Sequence, residues 1–277
     1  MVAAPVLWST AGVVTRHVER AGAFEQVFWR SLFAFVFVFA ALLFQKSNPW
    51  RAVRAAGWPG IASGMLWAVM FTAFMVALSM TTTANALVVM SICPLLTAVL
   101  ARAFLRDALP LRTWIAAGAA TVGIAWMFSF SLEKHFAGMA VAALIPVAAA
   151  TNLVLLRASA ARLDLLPAVM LGGAISCLAV LPFALPFSLS QRDLLLLAFL
   201  GFFQLGLPCM LLIIASRTLP APEIALLGLL EVVLGPIWAW LGAGEAPAAA
   251  TLAGGGVVLA ALALNELGAL RPRARST

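Results

Sequence analysis

Charged side chains are scarce in this chain of 277 residues. Asp, Glu, Lys and Arg together make up 10% of it, against roughly 25% in an ordinary soluble domain. So few polar groups cannot cover the surface of a soluble fold. The shortage excludes a soluble enzyme, a nucleic-acid-binding domain and a disordered chain. Tyrosine is absent, so any aromatic lining falls to the 9 Trp and 18 Phe. Only two histidines occur, His17 and His135, both in loops and beside no acid pair. No metal site and no Ser/His/Asp arrangement is therefore expected. Cys93, Cys177 and Cys209 lie inside apolar runs, odd in number and without a CxxC pair, which speaks against a disulfide framework or a zinc site. No GxxxxGK run occurs, so there is no P-loop for ATP, and no cofactor is expected.

What is present is apolar: 64% of the residues are hydrophobic and the mean hydropathy is +1.09. A membrane-spanning helix needs about 20 mostly apolar residues. Such runs are expected at 1–15, 24–44, 57–79, 82–104, 110–130, 137–157, 166–187, 194–215, 219–242 and 248–268. Barrel strands alternate apolar and polar residues, whereas Leu194 to Ala215 is apolar almost throughout. Backbone groups in lipid must be satisfied within the segment, which a helix achieves. The N-terminus lacks the basic stretch of a secretory signal, so the first run is expected to stay in the mature protein. It is short, which implies a missing first turn or a shallow placement.

The net charge of +7 does not point to nucleic acid, because the cations sit in short clusters between apolar runs. One set of loops and the C-terminus carries Lys46, Arg51, Arg54, Arg102, Arg106, Arg112, Arg157, Arg162, Arg217, Arg271, Arg273 and Arg275. The other set carries Arg16, Arg20, Lys134 and Arg192. The positive-inside rule puts the first set in the cytoplasm. Both termini are then cytoplasmic, which requires an even number of spans, and ten satisfies it.

A single ungapped offset of 138 residues aligns Ala77 with Ala215, Cys93-Pro94 with Glu231-Val232, Asp107 with Glu245, and Gly118 with Gly256. Two halves of five spans each must insert in opposite directions, because five is odd. The expected fold is therefore an all-α integral membrane protein of ten helices in two inverted five-helix repeats. The first covers 1–132, the second 133–270, and a basic cytoplasmic tail covers 271–277. Inverted repeats are a transporter architecture with the substrate site between the halves. The other reading of the alignment is that apolar helices resemble one another.

Leu7-Trp8-Ser9, Phe28-Trp29-Arg30 and the stretch from Leu230-Glu231 to Gly244-Glu245 resemble the EamA family of the drug/metabolite transporter superfamily. The likeness spans nearly the whole chain as two EamA-like units and is nearest to the YddG-type amino-acid exporters. It implies ten helices in a basket, a central cavity, a bacterial inner-membrane location, and export of aromatic or other neutral amino acids. Two departures stand out. The chain has Pro94 in the first repeat but Val232 in the second, with Pro236 one turn later, and it has no Tyr.

Glu231 is the sharpest candidate, since it lies midway along the ninth span. An intramembrane carboxylate costs about 2.5–3.5 kcal/mol at the helix centre by insertion measurements. It is read either as a proton- or ammonium-binding group, or as a neutral carboxyl bonded to a neighbouring helix. Arg30 is read either as a bidentate carboxylate ligand, or as a group that snorkels outward or pairs with a backbone carbonyl or Glu25. Trp67, Met70, Phe71 and Phe74 share one helical face and form either a cavity wall or packing. Trp8, Met90 and Trp238 are further wall candidates. The polar residues inside spans are Ser9, Thr10, Asn85, Ser91, Thr151, Asn152 and Gln204, which either line the cavity or bridge helices. Asp107 and Glu245 lie at span ends, where structural roles are expected. The Gly- and Ala-rich fifth and tenth spans suggest tight supporting helices or a dimer face, so monomer and homodimer both stand.

The expected partners are a small-molecule substrate, the bilayer and, for Glu231, protons. Energy then comes from a concentration or ion gradient. A membrane-embedded lipid enzyme needs clustered His, Asp or Ser at one face, which is missing. A channel needs a wider polar stripe. A nucleotide-sugar or drug carrier on the same fold is the nearer rival, but an anionic cargo wants more intramembrane cations than Arg30.

Overall fold

The computed structural model describes residues 1–81, 83–106, 110–128, 136–243 and 249–270. Asp107, Lys134, His135, Gly244, Glu245 and the tail 271–277 lie outside the described residues, as do the side chains of Asn85 and Pro236. Among the described residues every regular element is helical. Six helices are long and apolar enough to cross a membrane, and Ala3–Thr15, Cys93–Leu105 and Gly256–Asn265 are shorter apolar helices. The chain is a multi-pass membrane protein.

Expected runs and observed helices coincide in place but differ in detail, and each difference has a local cause. The first run divides into α1 (Ala3–Trp8) and α2 (Ala11–Thr15). At the break the Ser9 and Thr10 hydroxyls each donate, at 2.7 Å, to the carbonyl three residues back. Such bonds compete with the helical ladder. α3 covers Ala23–Phe44. α4 runs Pro49–Met80 and starts well before the apolar run, because the Asn48 side chain accepts from the Trp50 and Arg51 amides and Pro49 opens the first turn. Gly57, at φ 55° and ψ −151°, kinks it. Glycine alone takes that backbone without strain. The arm before the kink exposes Arg51 and Arg54, and Trp50 and Trp58 are also exposed.

The fourth run divides into α5 (Thr83–Met90) and α6 (Cys93–Leu100), followed by a π-helical turn, Ala101–Leu105, that ends at Arg106 with φ 56°. α7 (Leu111–Phe128), α8 (Phe136–Ser159) and α9 (Leu166–Ala184) follow. α10 (Gln191–Phe199) begins at a capping box between Ser190 and Asp193, which sets its start three residues before the expected run. A π-helical stretch, Leu200–Gly206, joins it to α11 (Leu207–Ser216). Pro208 explains that widening, since it has no N–H to offer the Gln204 carbonyl. The Leu207 amide bonds instead to Phe202 O, five residues back. The ninth run divides at Leu229 into α12 (Ala221–Gly228) and α13 (Leu230–Ala243), and α14 covers Ala249–Leu270. The breaks at Ser91 and Leu229 are 138 residues apart, the same offset that relates the two halves in sequence.

α9 is the central packing helix. A Cβ at Gly172 would overlap that of Trp67 on α4, and one at Gly173 would come 2.8 Å from Ser31 O on α3. Ser31, Ser176 and Thr72 add a buried hydroxyl link between the three helices, at 3.1 and 2.9 Å. α7 and α14 pack together where Gly123 meets Val257, with Thr113 donating to Asn265 Oδ1 at 3.2 Å.

Carboxylates tie the loops at one end of the bundle. Buried Asp193 accepts from the Glu19 and Arg20 amides, each at 3.1 Å. Buried Glu25 accepts from Ser188 N and Leu189 N at 2.8 and 3.0 Å. Glu25 is thus occupied by backbone and does not pair with Arg30. At the other end Arg217 pairs with Asp164 at 2.9 Å, and Arg157 donates to Arg217 O at 3.1 Å.

Candidate functional site

A cavity of about 160 Å³ lies among the helices of both halves. Its wall is drawn from corresponding positions: Met90 and Gly228 line it, as do Cys93 and Glu231, each pair 138 residues apart. The pairs flank the two helix breaks. A break in each half thus turns the start of the next helix toward the interior.

The aromatic face of α4 contributes Trp67, Met70, Phe71 and Phe74, the four residues at i, i+3, i+4 and i+7. Trp67 and Phe71 are tilted against each other with centroids 5.6 Å apart. Trp8 on α1 and Met90 on α5 also line the space. Ser9 and Trp238 do not. Instead Trp238 Nε1 donates to Ser9 Oγ at 2.7 Å, which pins α13 to the break between α1 and α2.

Two charged side chains line the cavity, Arg30 and Glu231. Arg30 is 1% exposed and does not snorkel. Its NH2 donates to Phe71 O at 3.0 Å, its NH1 to Gln204 Oε1 at 3.4 Å, and its guanidinium carbon stands 5.7 Å from the centroid of the Phe74 ring. A buried cation is costly, and these contacts offset part of that cost. Glu231 sits in the first turn of α13, where the positive end of the helix favours a carboxylate. Arg30 and Glu231 line the same cavity but form no ion pair. Among the described residues the salt bridges are Arg192–Glu19 and Arg217–Asp164.

Gln204 has more to do than its sequence context suggests. Besides accepting from Arg30, its Nε2 donates to Trp8 O at 3.3 Å, so one amide joins α1 to α3 through the π-helical stretch. Asn152 lines the cavity and accepts from Ser63 Oγ at 2.6 Å. The other polar residues go elsewhere. Ser9 and Thr10 bond to their own helix. Thr151 is exposed and donates to Val147 O. Ser91 offers its carbonyl to Thr121 Oγ1 at 3.2 Å. Cys93 and Cys209 also line the cavity, which their apolar surroundings gave no reason to expect. For Cys93 a signal existed, since the repeat offset places it on Glu231.

The arrangement is a small apolar chamber with one fixed cation, one acid and aromatic walls.

A solved crystal structure, one of 28 matching chains, superposes with a TM-score of 0.81 over 96% of this chain and 95% of its own at 20% identity. At that identity the likeness concerns the fold. No curated protein matches the chain. The family model described as the EamA-like transporter family matches residues 1–129 and 136–267. Both halves of the helical bundle are thereby accounted for, and the chain belongs to the EamA-like transporter family.

Proposed function

We propose that the protein exports small amphipathic metabolites, aromatic or other neutral amino acids first among them, across a bacterial inner membrane by alternating access. Family members are transporters rather than enzymes, and they belong to the drug/metabolite transporter superfamily. In this reading ten helices form two inverted five-helix repeats, 1–132 and 133–270, with both termini and the tail 271–277 cytoplasmic. The YddG-type exporters are the nearest functional parallel.

The observation that carries the reading is the pairing of Arg30 and Glu231, of opposite charge and not bonded to each other, in an otherwise largely apolar cavity. An amino acid has the complementary charges and an apolar body. A cavity of about 150 Å³ holds benzene, so the space here accommodates a ring of that size. Trp8, Trp67, Phe71 and Met90 form the wall, Ser9 and Trp238 brace it, and Glu231 takes the substrate ammonium or a proton.

The test is reconstitution in liposomes with labelled phenylalanine, tryptophan and leucine, with and without a pH gradient. Saturable flux is expected, and Glu231→Gln abolishes its dependence on pH. Flux of the parent that never saturates refutes the carrier reading. A Glu231→Gln variant that matches the parent from about pH 5 to 8 refutes the proton role. An epitope after Thr277 that is reached from outside intact cells overturns the orientation.

A further inference from the structure

Arg30 Nε and Trp67 Nε1 are buried nitrogens that donate to nothing in the structure. A buried donor without an acceptor is uncommon in a native fold. These two belong to side chains that line the same cavity, and those side chains are 1% and 4% exposed. Trp29 Nε1 is also without an acceptor, but Trp29 does not line the cavity. The other groups of Arg30 are engaged, and they hold it against α4. NH2 bonds to Phe71 O and the guanidinium lies over Phe74. Phe71 follows Trp67 by one turn on the same face of α4. The contact with Phe71 O therefore holds Arg30 against α4 one turn from Trp67.

Resting on the amino-acid reading above, we propose that Arg30 Nε and Trp67 Nε1 together form the subsite for the substrate carboxylate. One cationic donor and one neutral donor suit a singly charged oxygen acceptor. A phosphate dianion is disfavoured, because Glu231 lines the same space. With the carboxylate at Arg30 and Trp67, the ammonium is left to Glu231, which orients the substrate in the cavity. Both nitrogens are buried. The carboxylate reaches them as the wall side chains part, and its binding favours the conformation in which they have parted.

The test is calorimetric binding of three probes to the purified full chain: L-phenylalanine, 3-phenylpropionate, which lacks the ammonium, and 2-phenylethylamine, which lacks the carboxylate. The parent is expected to bind phenylalanine about tenfold or more tightly than phenylethylamine, the usual scale of a charge-assisted hydrogen bond. Trp67→Phe keeps a ring and removes the donor. It is expected to weaken phenylalanine and phenylpropionate by about tenfold and to leave phenylethylamine unchanged. Arg30→Lys keeps the charge, lacks Nε, and gives the same pattern if Trp67→Phe does not fold. Equal binding of phenylalanine and phenylethylamine by the parent overturns this subsite alone. So does a Trp67→Phe variant that loses all three probes equally, or none. Binding of none of the three by the parent overturns the amino-acid reading and this subsite with it.

Discussion

The contact between α4 and α9 can be tested by one added methyl group. A Cβ at Gly172 would overlap Trp67 Cβ and lie 3.2 Å from Gly64 O and 3.4 Å from Ala68 N. Two of these neighbours are backbone and the third is the stem of a buried ring, so none swings aside. Carbon atoms settle at about 3.5–4.0 Å, which requires the two helices to part by roughly 1 Å. Overpacking of this kind costs about 1–3 kcal/mol. Alanine, in opposition, is the better helix former by about 1 kcal/mol. Gly172→Ala is therefore expected to destabilise the protein by up to about 2 kcal/mol, the balance of those two effects. Gly118 supplies the control, because nothing lies within 4 Å of its added Cβ. Gly118→Ala has only the propensity gain and is expected to stabilise by up to about 1 kcal/mol. Thermal unfolding of the two variants and the parent in the same detergent reads the difference as midpoint shifts of opposite sign. Trp67 also lines the cavity, so Gly172→Ala raises the substrate KM whereas Gly118→Ala does not. If both variants raise the midpoint and leave KM alone, α4 and α9 do not meet through Gly172.

Gln204→Leu removes the acceptor for Arg30 NH1 and the donor to Trp8 O. Both bonds are long, so the expected loss is about 1–2 kcal/mol, read as a lower unfolding midpoint together with reduced flux. A variant with parental flux removes Gln204 from the working parts of the cavity. Asp193→Ala abolishes the acceptor shared by Glu19 N, Arg20 N and Ser190 N. It is expected to cost about 1–3 kcal/mol, while Asp193→Asn, which retains one carbonyl oxygen, loses less. Equal midpoints for the parent and Asp193→Ala show that the loops do not depend on this carboxylate.

The helices were legible because lipid imposes a length on apolar runs, and the sequence obeys it. The four-residue face of α4 was legible for a similar reason, since its spacing is local and helical periodicity decides which side chains share a side. Helix ends were less so. The run beginning at 57 excluded Arg51 and Arg54, yet α4 continues back to Pro49 because the Asn48 cap and the Gly57 kink are decided by backbone geometry. The divisions at Ser91 and Leu229 left no mark in hydropathy, as both sides of each break are equally apolar. Contacts between distant parts of the chain were not legible at all. Arg30 and Gln204 are 174 residues apart, and Ser9 and Trp238 are 229 apart. Nothing local in either stretch specifies its partner. Asp107 and Glu245, expected to brace span ends, fall outside the described residues.

The two breaks share a place in their repeats but are chemically unlike. In the first half, Pro94 has no N–H, so the Met90 carbonyl never receives its helical partner. In the second half the corresponding residue is Val232, whose amide at present donates to Leu229 O at 3.0 Å. That amide is free to exchange Leu229 for Gly228, the partner of a regular α-helix. The first joint thus lacks one helical bond in any arrangement, whereas the second can form it. Exchanging that bond for the one to Gly228 would turn Glu231, one residue before Val232, about the helix axis, a change for which the first half has no counterpart at Pro94.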